Sequence, residues 1–115
     1  MGTALQKLLF VCSRNQWRSP TAEAVFRGWP GVSARSAGTS PNARRTVSAA
    51  DLRWADVVFV MEGKHRDRLR ATFGRLVQHK PLHVLDIPDE YKFMDPELVE
   101  ILEAQVPPLL DDGDA

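Results

Sequence analysis

Two short, purely apolar runs constrain the fold of this chain more than any other feature of its sequence. They occupy residues 8–12 and 57–61, and each is five residues long. Such a run is too short for a helix, and apolar side chains on both faces are typical of a strand buried in a parallel sheet. Both runs also fall far short of the roughly 20 residues that a membrane-spanning helix needs. We therefore expect a fold built around a buried sheet.

The remaining segments predict helices that alternate with short strands. Ser19-Pro20 and Asp95-Pro96 each combine a capping residue with a proline at the first helical position. Strands are predicted at residues 6–11, 32–37, 56–61 and 82–85. Helices are predicted from Ser19 to the stop at Gly28, over 48–54, over 64–73 with Gly74 as the stop, and from the cap Asp95 to Pro107. This alternation indicates one α/β domain, residues 1–115, with a four-stranded, mainly parallel sheet and helices on both faces. Residues 107–115 are predicted to form a frayed acidic tail.

The charge distribution and the single cysteine indicate what kind of surface and which cellular compartment to expect. Residues 1–85 carry fourteen Lys and Arg against five Asp and Glu, whereas residues 86–115 carry one against ten. Such asymmetry can mark a partner or substrate surface, although a solvated basic body with an acidic tail is the simpler interpretation. The single cysteine cannot form an internal disulfide, and a free thiol fits the reducing cytoplasm. His65 and His79 are predicted at the surface, and no histidine has metal-ligand spacing to the cysteine.

The segment between the first strand and the first helix carries the candidate chemistry. In a parallel sheet, ligands bind where a strand ends and a loop leads into a helix N-terminus. There, successive backbone N–H groups can surround an anion, and Arg18 can bind two of its oxygens. The same environment favours the thiolate of Cys12, which would make it a nucleophile. The residues predicted to bind phosphate are Ser13, Arg14, Asn15, Gln16, Trp17, Arg18 and Ser19.

These residues resemble the low-molecular-weight protein tyrosine phosphatases. Cys12 and Arg18 match the family's Cys-x5-Arg-Ser/Thr-Pro loop, and the sequence Ser-Ala-Gly-Thr at 36–39 matches its next turn. Residues 57–61 resemble its central strand, and residues 86–91 resemble the loop that carries its general acid. The resemblance extends in order over about residues 7–106. It implies a single-domain phosphatase without a metal or organic cofactor.

The resemblance also implies roles for individual residues. Cys12 would be the nucleophile, Arg18 would hold the transition state, and Ser19 would stabilise the thiolate. Asn15 would hold the loop through a hydrogen bond to Ser36. Asp89 would be the general acid. Tyr91, which follows in the same loop, would then flank the substrate ring or simply pack the loop.

Four positions depart from the family pattern. Arg14 stands where the family usually has glycine, so that it could strain the loop or add a cation over the substrate. Trp17 replaces a second cysteine that many members have, which leaves Cys12 without an internal disulfide partner. Glu90 replaces the proline after the acid, and the loop after Thr39 lacks an aromatic residue.

Three carboxylates compete for the role of proton donor. Asp89 is favoured by its Ile-Pro-Asp-x-Tyr surroundings. Asp95 precedes a proline as the family's acid does, but a helix cap accounts for it better. Asp86 stands at the end of a strand, so its role could be limited to beginning the loop.

We expect a cytoplasmic phosphatase that acts on phosphorylated proteins, with phosphotyrosine as the substrate class, or on small aryl phosphates. The loop would bind phosphate or another oxyanion, and neither nucleic acid nor a membrane is expected as a partner. Two alternatives stay open. One is a catalytically degenerate module that binds phosphoproteins, which Arg14, Trp17 and Glu90 motivate. The other is an arsenate reductase, which would need an external thiol because Cys12 is the sole cysteine.

Overall fold

The computed structural model describes residues 5–110, which contain a four-stranded parallel sheet. Its strands are β1 (Gln6–Cys12), β2 (Val32–Gly38), β3 (Val57–Val60) and β4 (Leu82–Val84). They lie in the order β2-β1-β3-β4, and every pair is parallel. The predicted α/β fold is therefore confirmed, with strand ends within two residues of those predicted.

Helices cover both faces of this sheet. They are α1 (Arg18–Phe26), α2 (Ala49–Trp54), α3 (Gly63–Val77) and α4 (Pro96–Gln105). Alternate residues of β1 point to opposite faces, so Leu8 and Phe10 pack with α1 and α4, whereas Leu9 and Val11 pack with α2 and α3. A short 3-10 helix, Pro107–Leu109, follows α4, and residues 111–115 of the predicted tail lie outside the described residues. Between residues 5 and 110, no helix has the length and apolar character needed to cross a membrane.

Two helix boundaries differ from the sequence prediction. Helix α1 begins at Arg18, and Ser19 does not cap it; its N-cap is Trp17, with no side-chain hydrogen bond. The hydroxyl of Ser19 instead forms contacts within the loop from Cys12 to Ser19, which is described below. Gly74 does not end α3, because the chain only kinks at Phe73 (φ −127°, ψ 35°) and continues to Val77. The predicted cap at Asp95 is confirmed, since its carboxylate accepts a hydrogen bond from the N–H of Glu97 (2.9 Å).

The position of β1 determines where a ligand can bind. The chain leaves β1 toward β2 on one side, and it later returns on the other side to form β3. The carboxyl ends of β1 and β3 therefore border a topological switch point, where open parallel sheets bind ligands. Cys12 is the last residue of β1, so its side chain lies at this point.

Candidate active site

The loop from Cys12 to Ser19 is held in shape by the buried side chain of Asn15. Its amide donates hydrogen bonds to the hydroxyls of Ser19 (3.0 Å) and Ser36 (2.9 Å). Asn15 itself adopts a left-handed backbone conformation (φ 54°). The hydrogen bond to Ser36 was expected from the family resemblance, and the structure contains it. Arg14 is not in the left-handed region, so the backbone does not require glycine there.

A glycine is required at the end of β2, where the strand touches this loop. A Cβ atom on Gly38 would lie 2.5 Å from the carbonyl oxygen of Ser13 and 2.9 Å from the N atom of Asn15. Both contacts are with backbone, which cannot move aside as a flexible side chain could. The N–H groups of Thr39 and Ser40 then donate to the carbonyls of Cys12 and Ser13 (both 2.9 Å). The Ser-Ala-Gly-Thr turn therefore packs against the backbone of the loop and supports its conformation.

Cys12 and Ser19 face each other across the loop. The Sγ atom of Cys12 lies 3.0 Å from the Oγ atom of Ser19. Ser19 accepts a hydrogen bond from Asn15, and its single hydrogen can point either at the sulfur or at the carbonyl oxygen of Ala37 (3.3 Å). The thiol forms the floor of a cavity of about 240 Å³, which is lined by Cys12, Ser13, Arg14, Gln16, Trp17, Arg18 and Asp89. The cavity thus contains every predicted loop residue except Asn15 and Ser19, which support it.

Arg18 is almost fully buried, at 2% exposure, and is fixed by two partners. Its Nη1 atom donates to the Oε1 atom of Glu62 and to the carbonyl oxygen of Ile87, both at 2.8 Å. The hydrogen bond from Arg18 lowers the pKa of Glu62, although burial acts in the opposite direction. The guanidinium is therefore anchored on one side while it lines the cavity. Sequence reasoning missed Glu62, but its position two residues after the end of β3, the strand beside β1, could have indicated it.

The position of His65 differs from the sequence prediction. It was predicted at the surface, yet it is 1% exposed. Its Nδ1 atom accepts the N–H of Glu62 (3.0 Å), so the ring hydrogen lies on Nε2, which is 2.9 Å from the Oγ atom of Ser13. Burial, followed by the charge of Arg18, lowers its pKa to about 4. The signal that was missed is the capping box of α3, in which His65 stands three residues after the N-cap Glu62.

The three candidate acids occupy different places. Asp89 lines the cavity, is 60% exposed, and has Oδ1 3.7 Å from the Nε atom of Arg18. Asp86 lines a separate cavity beside Glu62, and Asp95 caps α4. Tyr91 is absent from the residues that line the Cys12 cavity; its hydroxyl donates to Glu97 (3.5 Å) and its ring packs against the core. Of these candidates, only Asp89 lines the cavity that contains Cys12.

With this geometry, comparison with known proteins becomes informative. No protein-family profile matches the sequence, and no curated protein matches it. Solved structures do match. SP-PTP, a low-molecular-weight protein tyrosine phosphatase from Streptococcus pyogenes, has a TM-score of 0.73 and 16% identity over 94% of this chain and 95% of its own. The tyrosine phosphatase Wzb from Escherichia coli K30, in complex with phosphate, has a TM-score of 0.71 and 21% identity over 87% and 92%.

A mutant of the arginine phosphatase YwlE that carries a phosphorylated active-site serine is also similar. It has a TM-score of 0.69 and 23% identity, and the match covers 93% of this chain and 97% of that one. At these identities the similarity establishes the fold. The chain therefore has the fold of the low-molecular-weight protein tyrosine phosphatases, as the sequence motifs indicated.

Proposed function

We propose that this protein is a phosphatase that hydrolyses phosphate monoesters through a phosphocysteine intermediate on Cys12, with phosphotyrosine in proteins as its substrate. One observation carries the proposal. A single cavity brings together a thiol that faces a hydroxyl, an anchored guanidinium and an exposed carboxylate, at Cys12, Arg18 and Asp89. Nucleophile, electrostatic stabiliser and proton donor are the three groups that a phosphoryl transfer through cysteine requires. Because Cys12 must be a free thiol, we place the reaction in the reducing cytoplasm.

In the first step, the Sγ thiolate of Cys12 attacks phosphorus in line with the leaving oxygen. The S–P bond forms as the P–O bond to the phenol breaks, and Asp89 gives its proton to the departing oxygen. Arg18 and the loop N–H groups stabilise the charge on the three equatorial oxygens. The hydrogen bond from Ser19 helps to hold the sulfur as a thiolate before the attack.

In the second step, water attacks the phosphocysteine. Asp89, now a carboxylate, takes a proton from the water as its oxygen bonds to phosphorus. The S–P bond breaks, and Ser19 again donates to the sulfur, which leaves as a thiolate. The phosphorylated active-site serine of the similar YwlE mutant supports a covalent intermediate at the nucleophile position.

The cavity wall favours an aryl ester. Trp17 lines the cavity and is 37% exposed, so an aromatic face is available to a substrate ring. Arg14 lines the same cavity, and its positive charge is complementary to an anionic substrate. Because YwlE is named as an arginine phosphatase, the experiment compares both substrate classes.

The test measures hydrolysis of p-nitrophenyl phosphate, a phosphotyrosine peptide and a phosphoarginine peptide by wild type and by Cys12→Ser. We expect wild type to hydrolyse the first two, and the variant to fold normally, bind phosphate and turn over neither. Asp86→Asn serves as the matched control, because Asp86 lies outside the cavity. Equal hydrolysis by Cys12→Ser and wild type would remove the thiol from the mechanism. Preference for the phosphoarginine peptide would reject the assignment to phosphotyrosine.

A further inference from the structure

A second cavity lies directly behind the phosphate-binding loop and is rich in arginine. It has a volume of about 520 Å³, and its walls are formed by Asn15, Glu23, Arg35, Ser36, Arg44 and Arg45. Asn15 and Ser36 are the two residues whose hydrogen bond holds the loop. The second cavity is therefore lined by residues that support the loop of the catalytic one.

Two of its arginines are fixed in position by other groups. The Nη1 atom of Arg45 donates to the carbonyl of Ser36 (2.7 Å), and its Nη2 atom contacts the buried carboxylate of Asp51. Arg35 also pairs with Asp51 (3.5 Å) and lies over the ring of Trp54, 4.1 Å from its centroid. Side chains that are ordered before binding lose less entropy when they take up a ligand. These two guanidinium groups are thus held in position and partly neutralised by Asp51, while they still line the cavity.

The cavity keeps an excess of positive charge. Arg35 and Arg45 share the single carboxylate of Asp51, and Glu23 is occupied by Ser36 and Arg27. Arg44 is exposed, and its side chain has no hydrogen bond or ion pair with any residue from 5 to 110. An arginine fork without a carboxylate partner is suited to bidentate binding of one.

The backbone connects this cavity to the catalytic one. The N–H of Arg44 donates to the carbonyl oxygen of Arg14 (3.0 Å), and Arg14 lines the cavity above Cys12. Since an extended peptide advances about 3.3 Å per residue, we expect substrate residues near the phosphorylated one to reach Arg44. Asp89 lines the catalytic cavity from the loop after β4, and Glu90 follows it, so acidic groups are repelled near that loop.

We propose that this second cavity is a substrate subsite that binds Asp or Glu side chains close to the phosphorylated residue. The enzyme then prefers phosphopeptides with acidic residues on one flank, toward Arg44, and not on the flank toward Asp89. The inference rests on the proposed phosphatase function and specifies its substrates. In this proposal, part of the excess positive charge of residues 1–85 serves to bind acidic side chains of the substrate at the second cavity.

The test uses three phosphotyrosine peptides: one with two Glu before the phosphotyrosine, one with two Glu after it, and one with Gln at all four positions. We expect kcat/KM for one of the two acidic peptides to exceed that for the Gln peptide roughly fivefold at low salt, and the advantage to shrink at high salt. Arg44→Gln should abolish the preference, while Arg70→Gln, an exposed residue of α3 outside both cavities, should keep it. Both variants should hydrolyse p-nitrophenyl phosphate as wild type does.

Binding of the same peptides to the Cys12→Ser protein separates this inference from the proposed function. If p-nitrophenyl phosphate is not hydrolysed, the phosphatase proposal fails, but tighter binding of one acidic peptide through Arg44 still supports the subsite. The subsite is rejected if wild type does not distinguish the three peptides, or if the preference survives Arg44→Gln. Equal preference for acidic residues on both flanks also rejects it, because only one flank faces the arginines.

Discussion

His65 makes the stability of this protein sensitive to mild acid. The imidazole is buried, and its pKa is lowered from 6.5 to about 4, first by burial and then by the charge of Arg18. The unfolded chain therefore takes up a proton near pH 6.5 that the folded protein accepts only near pH 4. The neutral ring contributes its full stability above pH 6.5, and this contribution is lost progressively as the pH falls toward 4.

The size of the effect follows from these two values. Between pH 7 and pH 5, linkage gives a loss of about 2 kcal/mol in the free energy of unfolding. Glu62 does not obscure this window, because its lowered pKa affects stability at and below its ordinary value of 4.5. The loss also has a structural cause. A proton on Nδ1 would face the N–H of Glu62, which that atom now accepts at 3.0 Å.

Urea unfolding followed by tryptophan fluorescence at pH 7 and pH 5 measures the loss. His65→Asn is the informative variant, because the amide oxygen can still accept the N–H of Glu62 but cannot titrate. It should be less stable than wild type at pH 7, since the contact with Ser13 is lost, yet its stability should change by about 2 kcal/mol less between the two pH values. His79→Asn, at an exposed histidine, should behave as wild type. If His65→Asn loses as much stability as wild type, the buried neutral imidazole is not the source.

Further predictions concern the chemistry. Arg18→Lys should lower kcat/KM for p-nitrophenyl phosphate roughly a hundredfold, because a lysine cannot hold Glu62 and bind two phosphate oxygens together; near-normal activity would contradict this role. Peroxide should inactivate the enzyme, phosphate should protect it, and activity should return only with added thiol, since Cys12 is the sole cysteine; recovery without thiol would refute this. Asp89→Asn should slow phenyl phosphate hydrolysis far more than that of p-nitrophenyl phosphate, whose phenol leaves unprotonated. Asp95→Asn should leave both rates unchanged, and the reverse pattern would move the acid to Asp95.

The sheet and the loop between β1 and α1 could be predicted because their signals are local. Apolar runs and the spacing from Cys12 to Arg18 are visible within a few residues, and the capping at Asp95 depends on its immediate neighbours. The family resemblance added the long-range pair of Asn15 and Ser36, which spacing alone does not give. Tyr91 was the weaker assignment, because loop packing competed with ring stacking from the start.

The residues that were missed act through tertiary contacts. In the sequence, Glu62 and His65 resemble an ordinary helix start. Only the pairing of β3 with β1 brings them close to Arg18 and Ser13. Histidine is often exposed, so its burial here depended on neighbours that are distant in sequence. Ser19 was given two roles, cap and sulfur partner, and one hydroxyl could not perform both. The hydroxyl is used within the loop, and α1 begins at Arg18 after the N-cap Trp17, without a side-chain cap.

The central place of β1 also governs how the protein folds. Within residues 5–110, no strand of this sheet pairs with a neighbour in a hairpin; every pairing is parallel and spans a helix. The contacts that complete the loop from Cys12 to Ser19 join residues 21, 44, 52 and 69 positions apart. Contacts of such high sequence separation slow folding, since loop-closure entropy is lost before they form. The cavity above Cys12 is therefore complete only once the whole sheet has assembled. Under the proposed function, phosphate binds only the native chain and stabilises it by mass action, so regained phosphate binding would report the completion of folding.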